Sequence, residues 1–216
     1  MSHPVSARRP ATHGGPPSFH GVSTPYDAQT ALVVVDVQND FADREGSLYV
    51  RDADSVVRAA NREIAAAQAA GALVVTTQDW HPATTPHFAK DGGTWPVHCV
   101  ADSWGAQLHP DLTPGGHQVF KGVGGEDGYS GFTVVHPTTG VSTATGLDSL
   151  LRSHDVGRVV VLGLATDYCV KETALDAVRL GYDTTVVVDG VRPVELQPED
   201  GRRALEAMAH AGVALG

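Results

Sequence analysis

Cysteine and lysine are scarce in this chain. Cys99 and Cys169 are the only thiols in 216 residues, too few for the paired framework that staples small secreted domains. Both are expected to be free. Only three of the fifteen basic residues are lysines (Lys90, Lys121 and Lys171), so each stands out against an arginine bias as a compact point charge. Also missing is any uninterrupted apolar run of the roughly 18 residues that a membrane span needs, and the N-terminus lacks the apolar core of a secretory signal. Positive charge is short as well: 15 basic residues against 25 acidic ones leave a net charge of −10. That balance excludes a nucleic-acid surface or a polybasic membrane patch. The expectation is a cytoplasmic protein with neither membrane nor nucleic acid among its partners.

What is present suffices for one substantial core, since 42% of the residues are apolar and the length fits a single domain. Residues 1–27 are rich in Pro, Ser, Gly, Thr and Arg with no apolar period. They read as a flexible tail. Two alternatives stay open for the tail: an organellar leader, suggested by Arg8 and Arg9 and the lack of acids before Asp27, and a segment that orders against a partner subunit of a homo-oligomer. Residues 28–216 form the domain. Ala31 to Val35 is continuously apolar, as buried parallel strands are. A helical period follows from about Asp54 to Ala70 and stops at Gly71, with a second strand from Ala72 to Thr77. The alternation returns as helix Thr145 to Ser153, strand Arg158 to Leu162, helix Asp167 to Leu180, strand Thr184 to Val188 and helix Pro198 to Ala211. Strands alternating with helices predict an α/β fold, a three-layer α/β/α sandwich on a mostly parallel sheet. Between Gln78 and Gly140 the alternation fails, and this stretch holds all three tryptophans and a cluster of histidines. Loops of that length in compact domains usually carry function.

Ligands of open parallel sheets bind beyond the carboxyl ends of the strands, so the polar residues there are the first candidates. Asp36 follows LVVV at the first strand's end, where burial would raise its pKa toward that of a general base; a turn cap is the alternative. Cys169 lies after the Arg158 strand, in the expected first turn of a helix, where backbone N–H groups favour a thiolate and can hold an oxyanion. A small buried core cysteine is the rival reading. Cys99 reads as structural. Asp79, His81, His87 and His98 are one carboxylate and three imidazoles within twenty residues, a set that suits a first-row divalent ion, although loop histidines are often only polar surface. Lys121 closes a short apolar run and either points into the same cleft or is solvated.

Together these residues resemble the nicotinamidase (pyrazinamidase) family of the isochorismatase-like cysteine hydrolases, from about Ala31 to Val213. The resemblance rests on DVQNDF at Asp36–Phe41, on Asp79-x-His81 with His87–Phe88 and WPVHC at Trp95–Cys99, on Lys121–Gly122 with YSGF at Tyr129–Phe132, and on GLATDYCV at Gly163–Val170. It implies Cys169 as nucleophile, Asp36 as general base and acid and Lys121 as third member of the triad. It implies Asp79, His81, His87 and His98 as ligands of one divalent metal ion (zinc, iron or manganese), and a cis peptide at Leu164–Ala165 that lets the N–H groups of Ala165 and Cys169 form an oxyanion hole. Phe41, Trp95 and Tyr129 would sandwich a small aromatic amide substrate. The implied activity is hydrolysis of nicotinamide, and of pyrazinamide, through a thioester, serving NAD salvage. One departure is the GVGGEDG stretch before Tyr129, about a residue longer than the family pattern. Two other readings remain open here: a related hydrolase of ureido or carbamoyl amides, and a non-catalytic metal-binding or thiol-sensing protein.

Overall fold

The computed structural model describes residues 26–216. The tail expected at residues 1–27, with its two alternatives, lies outside the described residues as far as residue 25, whereas Tyr26 is half-buried and its hydroxyl donates to Glu63 Oε2 at 2.7 Å. Six strands form one sheet in the order β3-β2-β1-β6-β7-β8, with β1 at Thr30–Val35, β2 at Leu73–Asp79, β3 at His117–Lys121, β6 at Arg158–Leu164, β7 at Asp183–Arg192 and β8 at Ala214–Leu215. Every pairing within it is parallel. Strands β4 (Thr133–Val135) and β5 (Ser142–Ala144) pair separately as an antiparallel ribbon. The helices are α1 (Asn39–Ala42), α2 (Ala53–Ala69), α3 (Leu147–Ser153), α4 (Lys171–Arg179) and α5 (Asp200–His210).

The unbroken apolar runs of β1 and β6 occupy the centre of the sheet, and from Thr30 to Val35 no side chain reaches solvent. Helix α2 packs across β1, β2, β6 and β7, burying Val56, Val57, Ala60, Ile64 and Ala67. Helix α4 lies on β6 and β7, with α5 beside it. Three helices end in the same way. After α2, α4 and α5 a glycine takes a left-handed conformation (Gly71, Gly181 and Gly212; φ 72°, 92° and 98°). The next residue's N–H then returns to a carbonyl in the last turn: Ala72 to Ala67, Tyr182 to Ala177 and Val213 to Met208, at 2.9–3.0 Å. This Schellman closure satisfies otherwise orphaned carbonyls. Each closure leads directly into a parallel strand.

The expected helix from Asp167 divides in two: Thr166–Val170 is a π-helical turn, and only Lys171–Arg179 is α-helical. Cys169 therefore sits in the π-turn rather than in the first turn of the α-helix. Strand β3 went unread because it is an edge strand with only two apolar residues, and β4, β5 and β8 are too short to show a period. Strands β2, β6 and β7 each run farther at their carboxyl ends than their apolar runs suggest, to Asp79, Leu164 and Arg192. In β2 and β6 the extra residues include Asp79 and Leu164, whose side chains line the site.

Gly163 is the tightest point of the sheet. It pairs with Val35, its φ is 125°, and a Cβ there would stand 2.1 Å from the Val35 carbonyl oxygen. Gly163→Ala is expected to destabilise the protein by more than about 2 kcal/mol, since the backbone region is glycine-specific and the obstructing atom is itself backbone. Urea unfolding monitored by circular dichroism measures this, and an unchanged midpoint would contradict it.

Candidate active site

Four neighbouring strands deliver one chemical group each to the same end of the sheet. Asp36 follows β1, Asp79 ends β2, Lys121 ends β3, and Cys169 lies in the turn after β6. The register sets one pair directly opposite each other, Asp79 and Lys121. Lys121 is buried, not solvated, at 2% exposure. Its Nζ lies 2.9 Å from Asp36 Oδ2, donates to Asp79 Oδ1, and stands 3.6 Å from Cys169 Sγ. Asp36 is wholly buried, and its other oxygen accepts from the Thr77 hydroxyl at 2.7 Å. The backbone at Asp36 is left-handed (φ 48°), a conformation that aspartate tolerates better than most residues. The peptide bond Leu164–Ala165 is cis.

Burial drives the proton affinities of this cluster apart. It raises the Asp36 carboxyl above the ordinary range against the opposing pull of Lys121. Burial also acts on Asp79, but there the ammonium of Lys121 prevails and lowers the pKa to about 2. Burial pushes the Cys169 thiol well up, with Lys121 working against it. Lys121 itself loses solvation, yet its two carboxylates hold it firmly protonated. The result is a charged lysine bridging two carboxylates beside a protonated thiol.

Next to this cluster, His81, His87 and His98 are buried together, with one nitrogen of each within 4.8 Å of the others. His87 Nδ1 is paired with Asp127 Oδ1 at 2.7 Å and His98 Nδ1 with the Pro96 carbonyl at 2.8 Å, which leaves Nε2 of both rings for another partner. Neither nitrogen of His81 has a hydrogen-bond partner, although both are buried. Burial lowers the His81 pKa to about 4 and shifts His98 in the same direction, so these rings are neutral at neutral pH, the form that ligates metals. Asp79 Oδ1 stands 4.0 Å from His81 Nε2, so Asp79 borders both clusters. Buried bare imidazole nitrogens converging beside a carboxylate fit a divalent ion.

Both clusters open on one cavity lined by Phe41, Trp95, Tyr129, Tyr168, His98, Ala165 and Cys169. Trp95 Nε1 donates to the Tyr129 hydroxyl at 3.0 Å, and the Tyr168 ring meets Trp95 and Tyr129 edge-on at 5.0 and 5.2 Å. Phe41 packs on His98 at 5.5 Å. All three ring residues read from the sequence thus line the cavity, Tyr129 included. The sequence reading passed over Tyr168, although it directly precedes the nucleophile candidate. It also missed Thr77, Asp127 and Gln38. The Gln38 amide donates to the Asp79 carbonyl and accepts from the Asp79 N–H, at 2.7 and 2.9 Å, locking the end of β2 to the segment after β1. Cys99 is buried as a structural thiol, its N–H held by Asp40 Oδ2 at 2.7 Å.

With this geometry in view, comparison with known proteins gives a consistent answer. The Isochorismatase domain matches residues 30–216. The chain belongs to the isochorismatase family. Among relatives of this isochorismatase domain, the nicotinamidase of Escherichia coli (strain K12) is 43% identical over 209 residues, covering 86% of this chain and 93% of that protein. The structure of a pyrazinamidase of Pyrococcus horikoshii in complex with zinc superimposes with a TM-score of 0.77 at 37% identity, covering 87% of this chain and 98% of that one. PnC1 from L. infantum in complex with nicotinate gives 0.81 at 33% identity, covering 90% and 96%. The fold read from the sequence is that of these neighbours. Among the described residues no helix is long and apolar enough to cross a membrane.

Removing the buried ammonium leaves two buried carboxylates unpaired. Lys121→Met is expected to cost about 3–5 kcal/mol at pH 7.5 and to slow alkylation of Cys169 by iodoacetamide, because the thiolate loses its neighbouring cation. In the variant the folded-state carboxyl pKa values stand above their unfolded values, so the gap to wild type should narrow as the pH falls from 7.5 to 5, the histidine contributions being common to both proteins. Urea unfolding of metal-free protein at the two pH values measures the gap. A constant gap would mean that the carboxylates do not depend on Lys121.

Proposed function

We propose that this chain is a metal-dependent cysteine amidohydrolase that converts nicotinamide to nicotinic acid and ammonia, and acts on pyrazinamide in the same way. One observation carries the reading: the Asp36–Lys121–Cys169 cluster and the three-histidine cluster open on a single aromatic-lined cavity. The likeness to a nicotinamidase at 43% identity and to a nicotinate-bound structure supports the substrate class. In this proposal residues 28–216 are the hydrolase domain, preceded by a tail at 1–27. A hydrolase of ureido or carbamoyl amides would leave the buried histidines without a use, and a non-catalytic protein would leave the thiol cluster without one.

In this mechanism the amide ring lies between Phe41 and the Trp95–Tyr129–Tyr168 rings, with its carboxamide carbon at Cys169. Asp36, made more basic by burial, takes the thiol proton, and Lys121 stabilises the sulfur's developing charge from 3.6 Å. The sulfur attacks the carboxamide carbon, and the N–H groups of Ala165 and Cys169 hold the oxyanion. Collapse of the tetrahedral adduct breaks the C–N bond. Asp36 returns its proton to the leaving nitrogen, giving ammonia and a thioester. A water that loses a proton to Asp36 then attacks the thioester, releasing nicotinic acid and restoring the thiol. Asp79, His81, His87 and His98 would hold the metal, whose contribution when bound is to grip the ring nitrogen and polarise the ring. Zinc, iron and manganese all suit that donor set.

Turnover of nicotinamide with stoichiometric ammonia release, together with metal analysis of the same sample, tests the proposal. Cys169→Ala is expected to abolish turnover, and Asp36→Asn to lower it at least about a hundredfold, the scale of general acid–base catalysis. Cys99→Ala should keep most of the activity. Equal losses in the two cysteine variants at equal thermal stability would remove Cys169 as nucleophile.

The role given to the metal predicts substrate choice. Nicotinamide should exceed benzamide, which lacks the ring nitrogen, by up to about 10⁴ in kcat/KM. Stripping the metal with a chelator should raise KM for nicotinamide and narrow that ratio. The same ratio in metal-replete and metal-free enzyme would eliminate a substrate-binding role for the ion.

A further inference from the structure

Like the other two clustered histidines, His87 lies in the long segment between β2 and β3, outside any strand or α-helix. What faces its outer nitrogen is Asp127, forty residues away, in the segment between β3 and β4. Asp127 is anchored by its main chain: its N–H donates to the Val135 carbonyl and its carbonyl accepts from the Val135 N–H, both at 2.7 Å. Its Oδ1 accepts from the Gly128 N–H at 2.8 Å as well as meeting His87 Nδ1 at 2.7 Å. The carboxylate is only half-buried, whereas the imidazole is almost fully so. An ionised carboxylate can only accept, so this contact puts a proton on Nδ1 and makes Nε2 the nitrogen of His87 that is free to face the other histidines.

We infer that Asp127 is a positioning residue for the metal site, fixing through His87 Nδ1 the orientation and tautomer in which His87 Nε2 can ligate. The inference rests on reading the histidine cluster as a metal centre. It also accounts for the glycine-rich, acidic loop before Tyr129. Gly128 and Tyr129 line the substrate cavity, so the loop that steadies one ligand also forms part of the wall against which the ring would stack.

The test is zinc binding to the purified full-length chain, measured by competition with a chromophoric chelator, alongside the visible spectrum of the cobalt-substituted protein. Asp127→Ala is expected to weaken zinc binding roughly 10–100-fold and to change the cobalt bands. Asp127→Asn keeps the shape and an acceptor oxygen and should lose less. The alkylation rate of Cys169 should be unchanged in both. A double-mutant cycle with His87→Ala separates positioning from ligation: in the His87→Ala background, Asp127→Ala should cost nothing further. Wild-type affinity in both Asp127 variants would overturn the inference. So would a full additive loss in the cycle, which would make Asp127 a ligand in its own right. Wild-type protein that binds no zinc, or that binds it undiminished after His81→Ala, would instead overturn the metal centre, and the inference with it.

Discussion

The site is organised around one ammonium group held out of water. Lys121 has 2% of its surface exposed, yet it remains charged because Asp36 and Asp79 flank it. Each carboxylate likewise depends on it, since an isolated buried charge would be too costly to keep. The three groups cannot be placed independently: β1, β2 and β3 must stand side by side in register for any of them to be tolerated. The nucleophile candidate joins from β6 on the other side of β1. The same constraint separates the two carboxylates chemically, since Asp79 is depressed to about 2 while Asp36 is raised. One is held as a fixed anion and the other binds a proton more readily, the kind of division between paired acids that acid–base chemistry can use.

Around this charged centre the chain runs for long stretches without regular structure, and polar side chains take the place of missing ladder bonds. Gln38 clamps the backbone of Asp79, the Asn39 amide donates to the Trp104 carbonyl, and Asp40 accepts from the N–H groups of Ser47 and Cys99. Three consecutive residues after β1 thus tie down the end of β2 and the loop that carries His98. Asp127 differs in holding a side chain, the His87 ring, while its own main chain is paired with Val135. Buried backbone groups need partners wherever they lie, and here those partners also set the position of the histidines.

The sequence made the centre of the sheet plain and its margins obscure, for physical reasons. Strands β1 and β6 are covered on both faces and show as unbroken apolar runs. Glycine marked the end of α2 because only a left-handed residue allows the Schellman closure. Strand β3 escaped notice because an edge strand needs few apolar residues, and the π-turn at Thr166–Val170 has no period of its own. The site candidates Asp36, Lys121 and Cys169 converge, and the three histidines cluster, because each polar residue follows an apolar run or sits in a dense histidine motif. The supporting residues left no such trace. Thr77, Asp127 and Tyr168 are ordinary strand or loop residues until a fold brings them against their partners.

The order of strands in the sheet differs from their order along the chain, and this has a consequence for the protein as it is made. During synthesis β1, β2 and β3 emerge first, carrying both carboxylates and the lysine, while β1 still presents an open edge. Strand β6 comes later, and only its insertion beside β1 encloses that edge and brings the thiol of Cys169 to the lysine. Placing Cys169 beside Lys121 therefore depends on the same pairing that covers the free edge of β1. A chain that ended before β6 would carry both carboxylates and the lysine without Cys169, so the buried cluster gains its thiol only when the sheet is extended past β1.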